Sequence, residues 1–200
     1  MKKLLFMAFF ALHSLVSAAQ DSVLIDKLQK GGLNIFIRHA ITPGKDPFKV
    51  NPPSERPYDC SPDSRQLSDE GREQSKRIAR RIKELNIPIG EVYASSFCRC
   101  EETAKLAFDK YTISNWLVVR PGVFNPELDK ALRSIPTKGF FSKASSGKNN
   151  VYVGHGVTLT QGVLSSDFGL SELRIFLEEG EALVFEPGDR PKVLGKIKFY

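Results

Sequence analysis

Leu33-Asn34-Ile35-Phe36-Ile37-Arg38-His39-Ala40-Ile41-Thr42-Pro43 decides how the chain folds. Five residues of buried-strand character end abruptly at an arginine and a histidine, and a strand that delivers polar groups at its carboxyl end is how open α/β sheets build sites. A second run, Val151-Tyr152-Val153-Gly154-His155-Gly156, repeats the arrangement, with a histidine held between two glycines where backbone must turn. The chain has three histidines, and the third, His13, lies in a leader-like segment.

Residues 1–19 have the form of a secretory signal: Lys2 and Lys3, an apolar run from 4 to 12, and the small residues Ser17, Ala18 and Ala19. The run is too short for the roughly 20 residues of a spanning helix. The expectation is a signal peptide over 1–19 and one domain over 20–200, exported to the periplasm or secreted, without stable membrane insertion. Losing Lys2 and Lys3 takes the formal net charge from +6 to +4, mildly basic and without a nucleic-acid tract. Export places Cys60, Cys98 and Cys100 where disulfides persist; a bridge from Cys60 to either of the other two leaves one thiol free, and three reduced cysteines are the alternative.

Between the two histidine strands, Ser68 with Asp69 and Glu70 opens a helix whose apolar face is Ile78, Ile82 and Leu85. A short helix precedes the first strand, and residues 41–66 form a long proline-rich loop. A strand over 91–95 leads to a helix through about Phe108, a third strand is expected at 117–119, and helices at 127–134 and 158–164. Residues 174–200 read as strands with a turn at 187–191. Alternating strands and helices predict an α/β fold in three αβα layers, a mainly parallel sheet with helices on both faces.

Arg38, His39 and His155 at strand ends, with Arg99 at a strand-to-helix turn, suit a tetrahedral dianion: fixed cations hold its oxygens while a neutral imidazole attacks phosphorus. A metal site needs more ligands than two histidines, so none is expected, nor any cofactor.

The sequence resembles the histidine phosphatase superfamily, the phosphoglycerate-mutase-like group, over most of residues 33–186. Arg38-His39-Ala40-Ile41-Thr42 matches its Arg-His-Gly-x-Thr signature except at Ala40; Leu67-Ser68-Asp69-Glu70-Gly71-Arg72-Glu73-Gln74 matches Leu-(Ser/Thr)-x-x-Gly-x-x-Gln. Ser95 through Arg99 to Thr103-Ala104 and the late Gly154-His155 complete the ordered set. The resemblance implies that His39 is a nucleophile that becomes phosphorylated and that Arg38, Thr42, Arg99 and a protonated His155 bind the phosphate. It implies that the second nitrogen of His39 donates to a backbone carbonyl or similar acceptor. It points to Glu127 as general acid, with Glu181 as fallback and Asp129 behind both. Ala40 is tolerable at negative φ and awkward at positive φ.

The implied function is an exported, metal-independent phosphatase acting on a small anionic phosphomonoester. Its architecture is similar to that of bacterial lipopolysaccharide-core heptose-phosphate phosphatases. The alternatives are a protein phosphohistidine phosphatase and a non-catalytic anion-binding protein.

Overall fold

A computed structural model describes residues 21–43, 60, 64–114, 117, 144, 146–156, 175–188 and 191–200. The expected signal, most of the long loop, and the helices at 127–134 and 158–164 lie outside the described residues, as do Glu127 and Asp129.

Helix α1 covers residues 21–30 and buries Leu24 and Leu28. Strand β1, Asn34–Arg38, is buried along all but its last residue, as expected of a strand covered on both faces. Helix α2, Asp69–Glu84, starts where Ser68 accepts a hydrogen bond from the Gly71 N–H and carries Asp69 and Glu70 in its first turn. It buries Ile78 and Ile82, and Asn86 turns the chain at φ 52°. Strand β2 is Ile89–Ala94, helix α3 is Cys98–Phe108, and β3 is a two-residue strand, Thr112–Ile113. Of the strand expected at 117–119 only Leu117 lies within the described residues, fully buried in the core, and the outer parallel pairing with β2 is made by Thr112 and Ile113. Strands β4 (Asn149–Gly154), β5 (Ala182–Glu186) and β6 (Lys192–Ile197) complete the sheet.

The strand order is β3-β2-β4-β1-β5-β6. From β3 to β1 the pairings are parallel; β5 pairs antiparallel with β1, and β6 antiparallel with β5. The sheet is therefore mixed, with a parallel half that carries the two histidine strands side by side: Ile35 opposes Val151 and Arg38 opposes Gly154.

Side chains alternate across β1, so its two faces feed two cores. Ile35 and Ile37 pack with Val151, Val153 and the apolar faces of α1, α2 and α3; Phe36 packs with Tyr152, Leu117, Leu177, Leu183 and Phe185 on the other side. Where strands begin, buried Asn149 satisfies three backbone groups, donating to Leu28 O and Pro88 O and accepting from the Leu33 N–H. This locks α1, β1, β2 and β4 into one register, so the carboxyl ends of the three strands finish together.

Candidate active site

The carboxyl ends of β1, β2 and β4 present His39, Ser95 and His155 in turn. The His39 N–H donates to Gly154 O at 2.9 Å and the Ser95 N–H to Val153 O at 2.9 Å, so both residues still belong to the sheet's hydrogen-bond pattern. Both histidines are buried, with ring centroids 5.5 Å apart. Arg99, in the first turn of α3, is buried beside them and lies 3.4 Å from His155 Nδ1. The other ring nitrogen, Nε2, is 3.1 Å from Ser95 Oγ and 3.5 Å from the thiol of Cys100.

His39 Nδ1 lies 2.9 Å from the carbonyl oxygen of Ala40. A carbonyl only accepts, so Nδ1 carries the proton and Nε2 keeps its lone pair. Burial, reinforced by the Arg99 guanidinium, holds the His39 pKa well below its ordinary value, against a smaller opposing effect of the Ala40 carbonyl. The ring is neutral near pH 7, as a nitrogen nucleophile must be. Burial and Arg99 act in the same direction on His155. The resemblance implies a protonated His155, whereas burial first and the Arg99 guanidinium second hold its pKa well below the ordinary imidazole value and favour the neutral ring.

The motif residues that do not touch the histidines hold the backbone that does. Ser68 N–H and Oγ–H both donate to Ile41 O, at 3.0 and 3.1 Å, and the Ile41 N–H donates to Gln74 Oε1 at 3.0 Å. Gly71 packs so closely on this segment that a Cβ there would sit 2.0 Å from Ile41 O. Thr103 accepts from the Ala40 N–H at 3.0 Å while donating to Arg99 O at 2.6 Å, joining the segment after β1 to the turn bearing Arg99. Ala40 is not among the residues with positive φ, which apart from glycines are Asn86 and Asp109 among the described residues. Its methyl group is buried without backbone strain, so the departure from glycine leaves the turn intact.

Two residues that sequence reading did not single out complete the site. Arg65 enters from the loop ahead of α2, and Glu179 from the turn ahead of β5. Glu179 Oε1 lies 2.9 Å from Thr42 Oγ1, 3.4 Å from Arg65 Nη2, 3.6 Å from Arg38 Nη2 and 4.0 Å from His39 Nδ1. Thr42, expected to offer its hydroxyl to phosphate, donates it to Glu179 and accepts from Arg65 Nε at 3.0 Å. Arg38 also donates to Leu177 O at 2.7 Å. Glu181, the fallback acid, is tied by Lys196 at 3.2 Å and by the Glu178 N–H at 2.9 Å; the carboxylate beside His39 belongs to its neighbour two residues earlier. The signal for Glu179 was topological: β5 runs antiparallel to β1, so the residues before β5 sit beside the end of β1.

The disulfide forms between Cys60 and Cys98, whose Cα atoms are 5.3 Å apart, and Cys100 is buried outside that bridge. Among the described residues no cluster of three or more His, Cys, Asp or Glu side chains is placed to hold a metal ion. No described helix is long and apolar enough to cross a membrane.

Residues 35–117, which carry the first histidine and three of the ordered motifs, match the model of the histidine phosphatase superfamily, branch 1. Over those residues the chain resembles this superfamily. Comparison with the curated proteins gives no match. Among solved structures, the chain is similar to the protein histidine phosphatase SixA complexed with tungstate, at 12% identity and a TM-score of 0.55, covering 84% of this chain and 97% of that one. It is similar to the product of open reading frame Rv3214 from Mycobacterium tuberculosis, at 16% identity and a TM-score of 0.51, covering 80% and 94%. A mutant phosphoserine phosphatase from Entamoeba histolytica in complex with phosphoserine aligns at 16% identity and a TM-score of 0.50, covering 84% and 97%. At these identities the likeness is one of fold.

Proposed function

We propose that the protein is an exported phosphatase that hydrolyses a phosphomonoester through a phosphorylated His39 without using a metal ion. The observation that carries the reading is a buried, neutral His39 whose Nδ1–H is committed to Ala40 O, leaving Nε2 as nucleophile beside the Arg99 and Arg38 guanidinium groups. The Nε2 lone pair attacks phosphorus, the N–P bond forms, and the ester P–O bond breaks with its electron pair leaving on oxygen. Glu127 is the proposed donor of the proton that oxygen takes. Water then attacks phosphorus, the N–P bond electrons return to Nε2, and inorganic phosphate leaves. Arg38, Arg99 and His155 hold the phosphoryl oxygens, and loss of one such preorganised donor typically costs about 10²–10³ in rate. A phosphate dianion between them supplies the negative charge that lets His155 take up its proton.

Export is supported by the signal-like residues 1–19 and by the Cys60–Cys98 disulfide, a bond that persists in oxidising compartments. As substrate we propose a sugar phosphate of the lipopolysaccharide core, on the strength of the architectural resemblance and the export signal. A second reading, a protein phosphohistidine phosphatase, draws on the fold likeness to SixA and on a leaving group that needs no strong acid.

The test is turnover of p-nitrophenyl phosphate by the purified protein and its His39→Ala variant, with and without chelator, followed by acid quench on labelled substrate. Expected are chelator-resistant turnover, none in the variant, and label in an acid-labile, base-stable linkage. Folded protein that binds inorganic phosphate without turnover would replace the enzyme with an anion-binding protein. A panel of lipopolysaccharide fragments, sugar phosphates and phosphohistidine separates the substrate readings.

A further inference from the structure

Three glutamates precede β5, and only one faces the site. Glu178 pairs with Lys198 at 2.7 Å and Glu181 with Lys196 at 3.2 Å, both toward β6. Glu179 turns the other way, into a half-buried position among Thr42, Arg38, Arg65 and His39. Its backbone is fixed there with little freedom. Gln74 Nε2 donates to Glu179 O at 2.9 Å and Tyr200 Oη at 3.3 Å. The next residue, Gly180, has φ +81° and donates its N–H to Arg38 O and His39 O at 3.1 and 3.0 Å. A Cβ on Gly180 would lie 2.6 Å from the Gln74 amide, so the turn is shaped for a glycine and delivers Glu179 to one place.

We propose that Glu179 is a positioning residue for the phosphoryl-transfer step: its carboxylate supports the positive charge His39 acquires on phosphorylation and restrains Arg38 and Arg65 at the site's edge. The inference rests on the phosphatase reading. When neutral His39 forms the N–P bond through Nε2, it keeps its proton on Nδ1, so the ring becomes a phosphorylated imidazolium until water breaks that bond. This cation forms among Arg38, Arg65 and Arg99, and like charges in a buried site oppose it. Glu179 Oε1, 4.0 Å from Nδ1, lies on the ring edge away from the attacking atom. The carboxylate acts there as the buried aspartate does in a Ser-His-Asp triad, stabilising an imidazolium without taking its proton, while Ala40 O fixes the tautomer. The same carboxylate competes with the substrate anion for Arg38. The two effects predict opposite changes in rate and in affinity.

The experiment compares Glu179→Gln with the unsubstituted protein for kcat on p-nitrophenyl phosphate and for inhibition by inorganic phosphate. Expected is a kcat about 10- to 100-fold lower, the range for loss of partners that orient a ligating histidine, together with phosphate inhibition several-fold stronger because the competing carboxylate is gone. Glu179→Asp, which keeps the charge, is expected to retain phosphate inhibition near its original strength and to recover part of the rate. It also serves as the reading if the glutamine variant does not fold. An unchanged kcat, or a lower kcat with weaker phosphate inhibition as loosened packing would give, overturns the role of Glu179 and leaves the phosphatase reading standing. No turnover by the unsubstituted protein overturns both.

Discussion

Keeping two imidazoles neutral and buried beside three guanidinium groups makes the fold sensitive to mild acid, and the size of the effect can be worked from the site. Burial, then Arg99, lowers the pKa of both His39 and His155 well below 6.5. In the unfolded chain both titrate near 6.5. Below that pH the unfolded state binds more protons than the folded state, so stability is full above the unfolded pKa and falls as pH drops toward the depressed folded values. Each histidine contributes up to about 1.4 kcal/mol per pH unit in that window. Moving from pH 7.5 to 5.5 should therefore cost up to about 3 kcal/mol for the pair, a substantial share of the 5–15 kcal/mol typical of a domain. Urea denaturation followed by circular dichroism at pH 7.5, 6.5 and 5.5 measures it, with a His39→Asn/His155→Asn double variant as control. The original protein should lose stability over this range and the double variant should lose less, by up to about 3 kcal/mol. Equal losses in the two proteins would refute the reasoning, since they would place the titration outside the site. Saturating inorganic phosphate should reduce the loss, because a bound dianion permits protonation of His155 within the fold.

Breaking the Cys60–Cys98 bridge by a Cys60→Ser/Cys98→Ser change frees a loop of sequence separation 38; the chain-entropy relation gives a loss of about 4 kcal/mol, read as a melting temperature lower by roughly 8–16 °C. A melting temperature unchanged by the substitution or by reductant would mean that the bridge constrains nothing. Gly71→Ala would place a Cβ 2.0 Å from Ile41 O; the helix start or the 39–42 segment must move, and kcat on p-nitrophenyl phosphate should fall at least 10² -fold, the scale for about 1 Å of misplacement. Activity within twofold of the original would show that Gly71 does not position the nucleophile's loop.

The parallel half of the fold was legible because its strands are short apolar runs that stop at polar residues, and because Ser68 and the Ile78/Ile82 spacing mark α2 at both ends. The two-residue β3 was not: Thr112 and Ile113 carry no period, and only pairing with Tyr93 and Ala94 makes them a strand. The same division holds at the site. Arg38, His39, Arg99 and His155 could be singled out because each sits one or two residues from an element's end. Arg65 and Glu179 could not, because they come from irregular segments and reach Thr42 across 23 and 137 residues. Thr42 was read as facing the substrate because sequence shows a hydroxyl but not the carboxylate that takes it. That Glu179 rather than Glu181 lies beside His39 follows from the sense of β5 and from Lys196, neither of which local pattern discloses.

Neighbouring strands of any sheet lie about 4.8 Å apart, and this chain hangs His39, His155 and Ser95 on three consecutive ones. The spacing of these three side chains is thus set first by main-chain hydrogen bonding within the sheet, and the contacts of Ser68, Gln74 and Thr103 with the 40–41 backbone refine it. Segments outside these contacts are free to change length and composition without retuning the chemistry. Loops can be rewritten around an unaltered ruler, which is how chains sharing 12–16% identity can keep one fold.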